Sequence, residues 1–214
     1  MANNLTLEDI NNLYFWATKL EEEEINLYSG EDIESKEDIL NLTGITARNS
    51  LPKEVFKLNR LNWLIIKCPN LNELPKEIGN LNNLGVLEIK CPNLKELPKE
   101  IGNLTNLGVL EIECPNLNEL PKEIGNLTNL GRLIIKCPNL NELPKEIGNL
   151  NGRLQIYCHN LRELPKEIGN LSEFEVKLDI KNNNNKELLK YIVDSPNNEN
   201  KDVELKINIK RKEA

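Results

Sequence analysis

Residues 84–106 read LGVLEIKCPNLKELPKEIGNLTN, and residues 107–129 read LGVLEIECPNLNELPKEIGNLTN. Residues 61–83, LNWLIIKCPNLNELPKEIGNLNN, precede them, and residues 130–151, LGRLIIKCPNLNELPKEIGNLN, follow. Cys68, Cys91, Cys114 and Cys137 mark the period, each 23 residues after the last. Cys158 comes after only 21, so two residues are missing near Asn151 and Gly152, and the leucine that opens the other units is one of them. A fifth unit continues as GRLQIYCHNLRELPKEIGNL. A degenerate unit lies ahead of the series, at residues 39–42 and 51–55, and another is expected around Leu178 and Ile180. A fixed period of this length marks a repeat architecture.

One unit can be read physically. Leu87 and Ile89 are two apart and share one face of a short strand, with Val86, Glu88 and Lys90 on the other. Pro92 lacks an N–H and ends the strand. Leu94 and Leu97 turn inward again. Pro98 suits the first position of a helical turn. Ile101 and Leu104 have the spacing of one side of a 3₁₀ turn, and Gly102 is expected to let the chain reverse. A single unit cannot enclose its own leucines. Stacked units bury them as a column, with the strands forming a parallel sheet.

The pattern L-x-x-L-x-I…N-L-x-x-L-P-x-x-I-x-x-L over residues 39–180 resembles the leucine-rich repeat in its 23-residue form, and LPKEIGNLxNL is similar to repeats of bacterial and intracellular members. The resemblance implies an α/β fold: a curved, right-handed solenoid with a parallel sheet on the concave side, short helical or 3₁₀ turns on the convex side, and a role in binding proteins. One departure bears on the turn after each strand. The family usually places an asparagine there, bonded to neighbouring backbone. This chain has Pro69, Pro92, Pro115, Pro138 and His159 instead, with cysteine one residue earlier and asparagine one later. The usual asparagine ladder is therefore not expected, and the turn should be altered.

Three segments follow: an N-terminal helical cap over 1–36, the solenoid over 37–181 and a C-terminal cap over 182–214. Thr6 is a plausible N-cap, and Ile10, Leu13, Tyr14, Ala17 and Leu20 follow helical spacing. This predicts one amphipathic helix covering the exposed side of the first strand. The acidic run at 21–24 reads as solvated surface. Leu188, Leu189, Ile192 and Val193 predict a helix over 186–194. The alternation of Val203, Leu205, Ile207 and Ile209 predicts an edge strand. Caps of this kind seal the ends of a solenoid.

Composition removes many functions. Lys+Arg total 27 against 34 Asp+Glu, a net charge of −7, which argues against nucleic acid or an anionic membrane as partner. No apolar run approaches the ~18 residues of a membrane span. The opening residues lack the basic flank and apolar stretch of a secretory signal, so a cytoplasmic location is expected. The wealth of Asn, Lys and Ile points to an AT-rich, bacterial genome. His159 is the one histidine, which argues against a triad or a multi-histidine metal site. The five cysteines read either as a metal or disulfide ladder or as small buried fillers. The odd count and the absence of a C-x-x-C favour the fillers and a reducing compartment. No catalytic residue, metal or cofactor is assigned.

The outward strand positions form three columns: Trp63, Val86, Val109, Arg132, Arg153; then Ile65, Glu88, Glu111, Ile134, Gln155; then Lys67, Lys90, Glu113, Lys136, Tyr157. These vary between units while LPKEIGNL hardly changes, so the structural template leaves them free. Trp63, Ile65, Val86 and Val109 make an apolar patch beside Glu88 and Glu111, followed by Arg132 and Arg153. Aromatic and arginine side chains are frequent interface anchors. A protein-binding face therefore includes Trp63, Ile65, Val86, Glu88, Val109, Glu111, Arg132, Ile134, Arg153 and Tyr157. Alternatively, the N-terminal helix or a dimer neighbour covers Trp63 and Ile65. The functional expectation is a non-catalytic module binding a protein or peptide, as a monomer or weak homodimer. The alternative is a self-associating structural or inhibitory protein, including a bacterial effector acting on a host protein.

Overall fold

The computed structural model describes residues 5–19, 25–28, 34–158, 160–162, 164–171 and 173–176. The predicted C-terminal helix and edge strand lie outside these residues, as do His159, Leu178 and Ile180. Among the described residues, one α-helix, α1 (Leu7–Lys19), is followed by eight four-residue strands: β1 (Ile25–Tyr28), β2 (Gly44–Ala47), β3 (Trp63–Ile66), β4 (Val86–Ile89), β5 (Val109–Ile112), β6 (Arg132–Ile135), β7 (Arg153–Ile156) and β8 (Glu173–Val176). They form one sheet in chain order, parallel from β2 to β8. Between strands the chain returns through 3₁₀ turns such as Lys76–Asn80, Lys99–Asn103 and Lys122–Asn126.

The register follows the period. Trp63 pairs with Val86, Val86 with Val109 and Val109 with Arg132, steps of 23. Arg132 pairs with Arg153, a step of 21, and Arg153 with Glu173, a step of 20. Leu87, Leu110, Leu133 and Leu154 therefore stack in one buried column, and Ile89, Ile112, Ile135 and Ile156 in another. Leu84, Leu107 and Leu130 add a third, which stops where the fifth unit lacks its opening leucine. There the chain leaves Leu150 extended (ψ 146°), whereas Leu104 bends (ψ 58°). It then passes so close to β6's approach that a Cβ on Gly152 would lie 2.1 Å from the Leu130 carbonyl oxygen.

From Lys53–Lys57 onward, each convex turn begins after an extended proline, as at Pro98 (ψ 143°), whose carbonyl accepts from the Ile101 N–H. Pro98 thus precedes the turn rather than occupying its first position. Gly102 is fixed by close approach, not by chain reversal. A Cβ there would meet the Glu123 carbonyl oxygen of the next turn at 2.4 Å, and Gly79, Gly125 and Gly148 face similar contacts.

The altered turn after the strand has a definite form. Cys68, Cys91, Cys114 and Cys137 are buried, and each Sγ–H donates to a carbonyl of the preceding unit at 3.6–3.7 Å. Asparagine ladders are present, but at exposed positions. Asn93 and Asn116 donate to the carbonyls of Pro69 and Pro92. Asn83, Asn106 and Asn129 donate to those of Asn59, Asn82 and Thr105. All five cysteines are free and buried, so neither disulfides nor surface thiols form the ladder. Burial pushes the thiols of Cys68, Cys114 and Cys137 up to about 12, which keeps them protonated as donors.

The N-terminus corrects one expectation. Thr6 caps α1: its Oγ1 accepts from the Asp9 N–H, and Asp9 accepts in return from the Thr6 N–H at 2.7 Å. However, α1 packs on the turns Asp38–Asn41 and Lys53–Lys57, not over the first strand. The edge of β2 is instead covered by β1, pairing antiparallel. That strand is short and follows directly on the acidic run, so the longer helical pattern hid it.

Candidate functional site

The outward columns are assembled by the parallel register, which places residues of one column side by side. Trp63, Val86, Val109, Arg132 and Arg153 stand in register across β3 to β7. Val86 and both arginines are exposed, and Trp63, Ile65, Val109 and Tyr157 are half-buried. Within the chain, Trp63 is shielded by β2. Its indole lies over Gly44 of β2, where a Cβ would be 2.1 Å from the ring. Ile134, expected to face solvent, is only 7% exposed. Alternation fixes which face a residue takes but not how far neighbouring side chains close over it.

The middle of the face is an ion-pair network. Lys90 pairs with Glu88, and lies 3.4 Å from Glu111 and 3.6 Å from Glu113. Lys136 lies 2.7 Å from Glu111 and 3.8 Å from Glu113. The hydrogen bond to Glu88 raises the Lys90 ammonium above its ordinary value despite partial burial. Burial pushes Glu111 up, but the hydrogen bond and charge of Lys136, with Lys90, outweigh it and hold the carboxyl below its usual range. Both shifts favour the charged forms of Lys90 and Glu111.

Arg132 is held differently. Its Nε and Nη2 both donate to Oε1 of Gln155, at 3.1 and 2.8 Å. Gln155 is 7% exposed, so its amide is a fixed support. The residues expected to bind a partner thus stand in register on one face of the sheet, with Ile134 closed over. Sequence reading did not single out Lys90, Glu113, Lys136 and Gln155, which tie that face together. Their signal was present in the second and third columns, where opposite charges fall within one strand spacing of each other.

Among the described residues, no group of three or more His, Cys, Asp or Glu is placed to hold a metal ion, and no helix is long and apolar enough to cross a membrane.

Comparison with known proteins agrees with this geometry. The family model of the leucine-rich repeat region matches residues 38–116 and 76–152. No curated protein matches the chain. A solved leucine-rich-repeat protein of Leptospira interrogans is 31% identical over 66% of this chain, with a TM-score of 0.54. This chain spans 39% of that protein's length. Internalin C2 of Listeria monocytogenes is 17% identical, covering 94% of this chain and 92% of its own, with a TM-score of 0.47. Repeat period, parallel register and family match together establish that the chain belongs to the leucine-rich-repeat family.

Proposed function

We propose that the chain is a non-catalytic binding module that docks a protein or peptide on its concave sheet. One observation carries this reading: an apolar row, Trp63, Val86 and Val109, stands in register on the solvent face of the sheet and runs into Arg132 and Arg153. Residues on a sheet backed by a buried leucine column are already ordered, so they lose little freedom on docking. The convex Lys-Glu pairs, such as Lys99 and Glu100, recur unchanged and serve as solubilising surface. Five free, buried thiols are compatible with a reducing compartment such as the cytoplasm, which we propose as its setting.

A photo-crosslinking amino acid at Val86 or at Lys99 tests the reading in cells that express the protein. Adducts with a partner should form from position 86 and not from 99. The reverse pattern places the interface elsewhere. An adduct of twice the chain's mass identifies a second copy, the self-associating alternative.

A further inference from the structure

The charges of the concave face are not equivalent. Glu88, Glu111 and Glu113 already share Lys90 and Lys136. Arg132 is exposed, and among the described residues its guanidinium bonds to a neutral group, the Gln155 amide. Both of those bonds use the Nε–Nη2 side. The Nη1–Nη2 end therefore remains directed away from Gln155, with two parallel N–H groups of the kind that seat a carboxylate. Arg153 stands in register on one side of Arg132 and adds a second positive charge, itself next to Glu173 in the ladder. Val109 and then Val86 stand in register on the other side. Along β6 the same face continues into the buried Ile134.

From this arrangement we infer that the partner is an acidic–apolar protein segment, with an aspartate or glutamate seated on Arg132 and an apolar side chain on Val109 and Val86. The inference rests on the concave reading above and specifies its partner. Spacing narrows it further. Strands lie ~4.8 Å apart, so Val109 and Val86 stand about 5 and 10 Å from the arginine position. Same-face side chains of an extended segment are ~6.6 Å apart, so an apolar residue two positions from the acid falls between the two valines. The support by Gln155 means that Arg132 is oriented before the partner arrives, and a carboxylate neutralises a charge that no acid of the described chain does.

The test pans a phage-displayed random dodecapeptide library on the full-length chain at low salt. Retained peptides are resynthesised and titrated on wild type and on Arg132→Gln, Val86→Asp and Lys99→Ala, with thermal melts confirming that each variant is folded. The expected peptides carry Asp or Glu two residues from Leu, Ile, Val or Phe. They should lose about tenfold or more in affinity on Arg132→Gln. They should be unaffected by Lys99→Ala, and a peptide with its acid changed to lysine should bind Arg132→Glu better than wild type. Neutral or basic peptides that respond to Val86→Asp but not to Arg132→Gln would overturn this inference and leave the concave site standing. Peptides indifferent to both variants would overturn both. Retention of no peptide at all also counts against the inference.

Discussion

Gly102 and Gly108 sit six residues apart, on either side of a unit boundary, and answer to different constraints. At Gly102 a Cβ would press to 2.4 Å on the backbone of the next turn, where neither side can yield without moving the stack. At Gly108 the nearest atom, the Gly85 carbonyl oxygen, is 3.5 Å away, an ordinary contact. Neither backbone needs a left-handed conformation. Gly102→Ala should therefore destabilise by about 1–3 kcal/mol, as overpacking does. Gly108→Ala should be near neutral or stabilising by up to about 1 kcal/mol through the unfolded chain. Urea melts of the two variants check this, and equal losses would refute the distinction. The sequence alone assigned chain reversal to Gly102, because a glycine after a helical turn has that use more often than close packing. The buried cysteines were legible, since a small residue at a fixed repeat position and an odd count leave few alternatives. Their bonds to the preceding carbonyls were not, because a thiol rarely stands in for an amide donor.

Two elements depart from the regular pattern. The connection into β7 is two residues shorter than those into β4, β5 and β6. From 104 to 109, the amides of Leu104, Thr105, Leu107, Gly108 and Val109 all reach backbone carbonyls. The short connection has bonds from Leu150 to Ile147 and from Arg153 to Gly131, and it lacks the buried leucine that pins the others. Hydrogen exchange should be faster at residues 150–153 than at 104–109, reflecting easier local opening. Equal protection would mean that the deletion costs nothing locally. At the other end, α1 is fastened by Asp9, whose two oxygens accept from the Lys57 ammonium at 2.8 Å. That bond, with the Thr6 N–H, draws the carboxyl from 3.8 to about 2. A carboxyl with a depressed folded-state pKa stabilises fully above 3.8, and the contribution fades as pH falls towards 2. Wild type should exceed Asp9→Asn in urea midpoint at neutral pH, with the gap narrowing through that acidic window. A gap that persists unchanged at the acid end would show that charge is not the fastening. The cap residue and helix were readable from Thr6 and the apolar spacing. Strand β1 was not, because four residues give too little alternation to stand out from a neighbouring charge run.

Across the whole molecule, strands and turns contact chiefly their immediate neighbours, so stability accumulates unit by unit. The solenoid and its register were legible because 23-residue near-identity leaves one consistent stacking. The charge network was only partly legible: sequence names the columns, but the pairing of Glu111 with both Lys90 and Lys136 depends on side chains crossing between strands. The same modularity allows a test at this scale. A copy of residues 107–129 inserted after Asn129 should fold, melt cooperatively and be at least as stable as the parent. A fall in melting temperature would show that the end units, not the neighbours, set the stability. Such an insertion also displaces the arginines from Val86 by one strand spacing, ~4.8 Å, with no change to any side chain. The face is in that sense a ruler graduated in whole strands. Unequal recombination between near-identical coding segments would change the distance between its apolar and basic marks only in complete steps. Partners matched to one repeat number would be lost, and others gained, without a single point substitution.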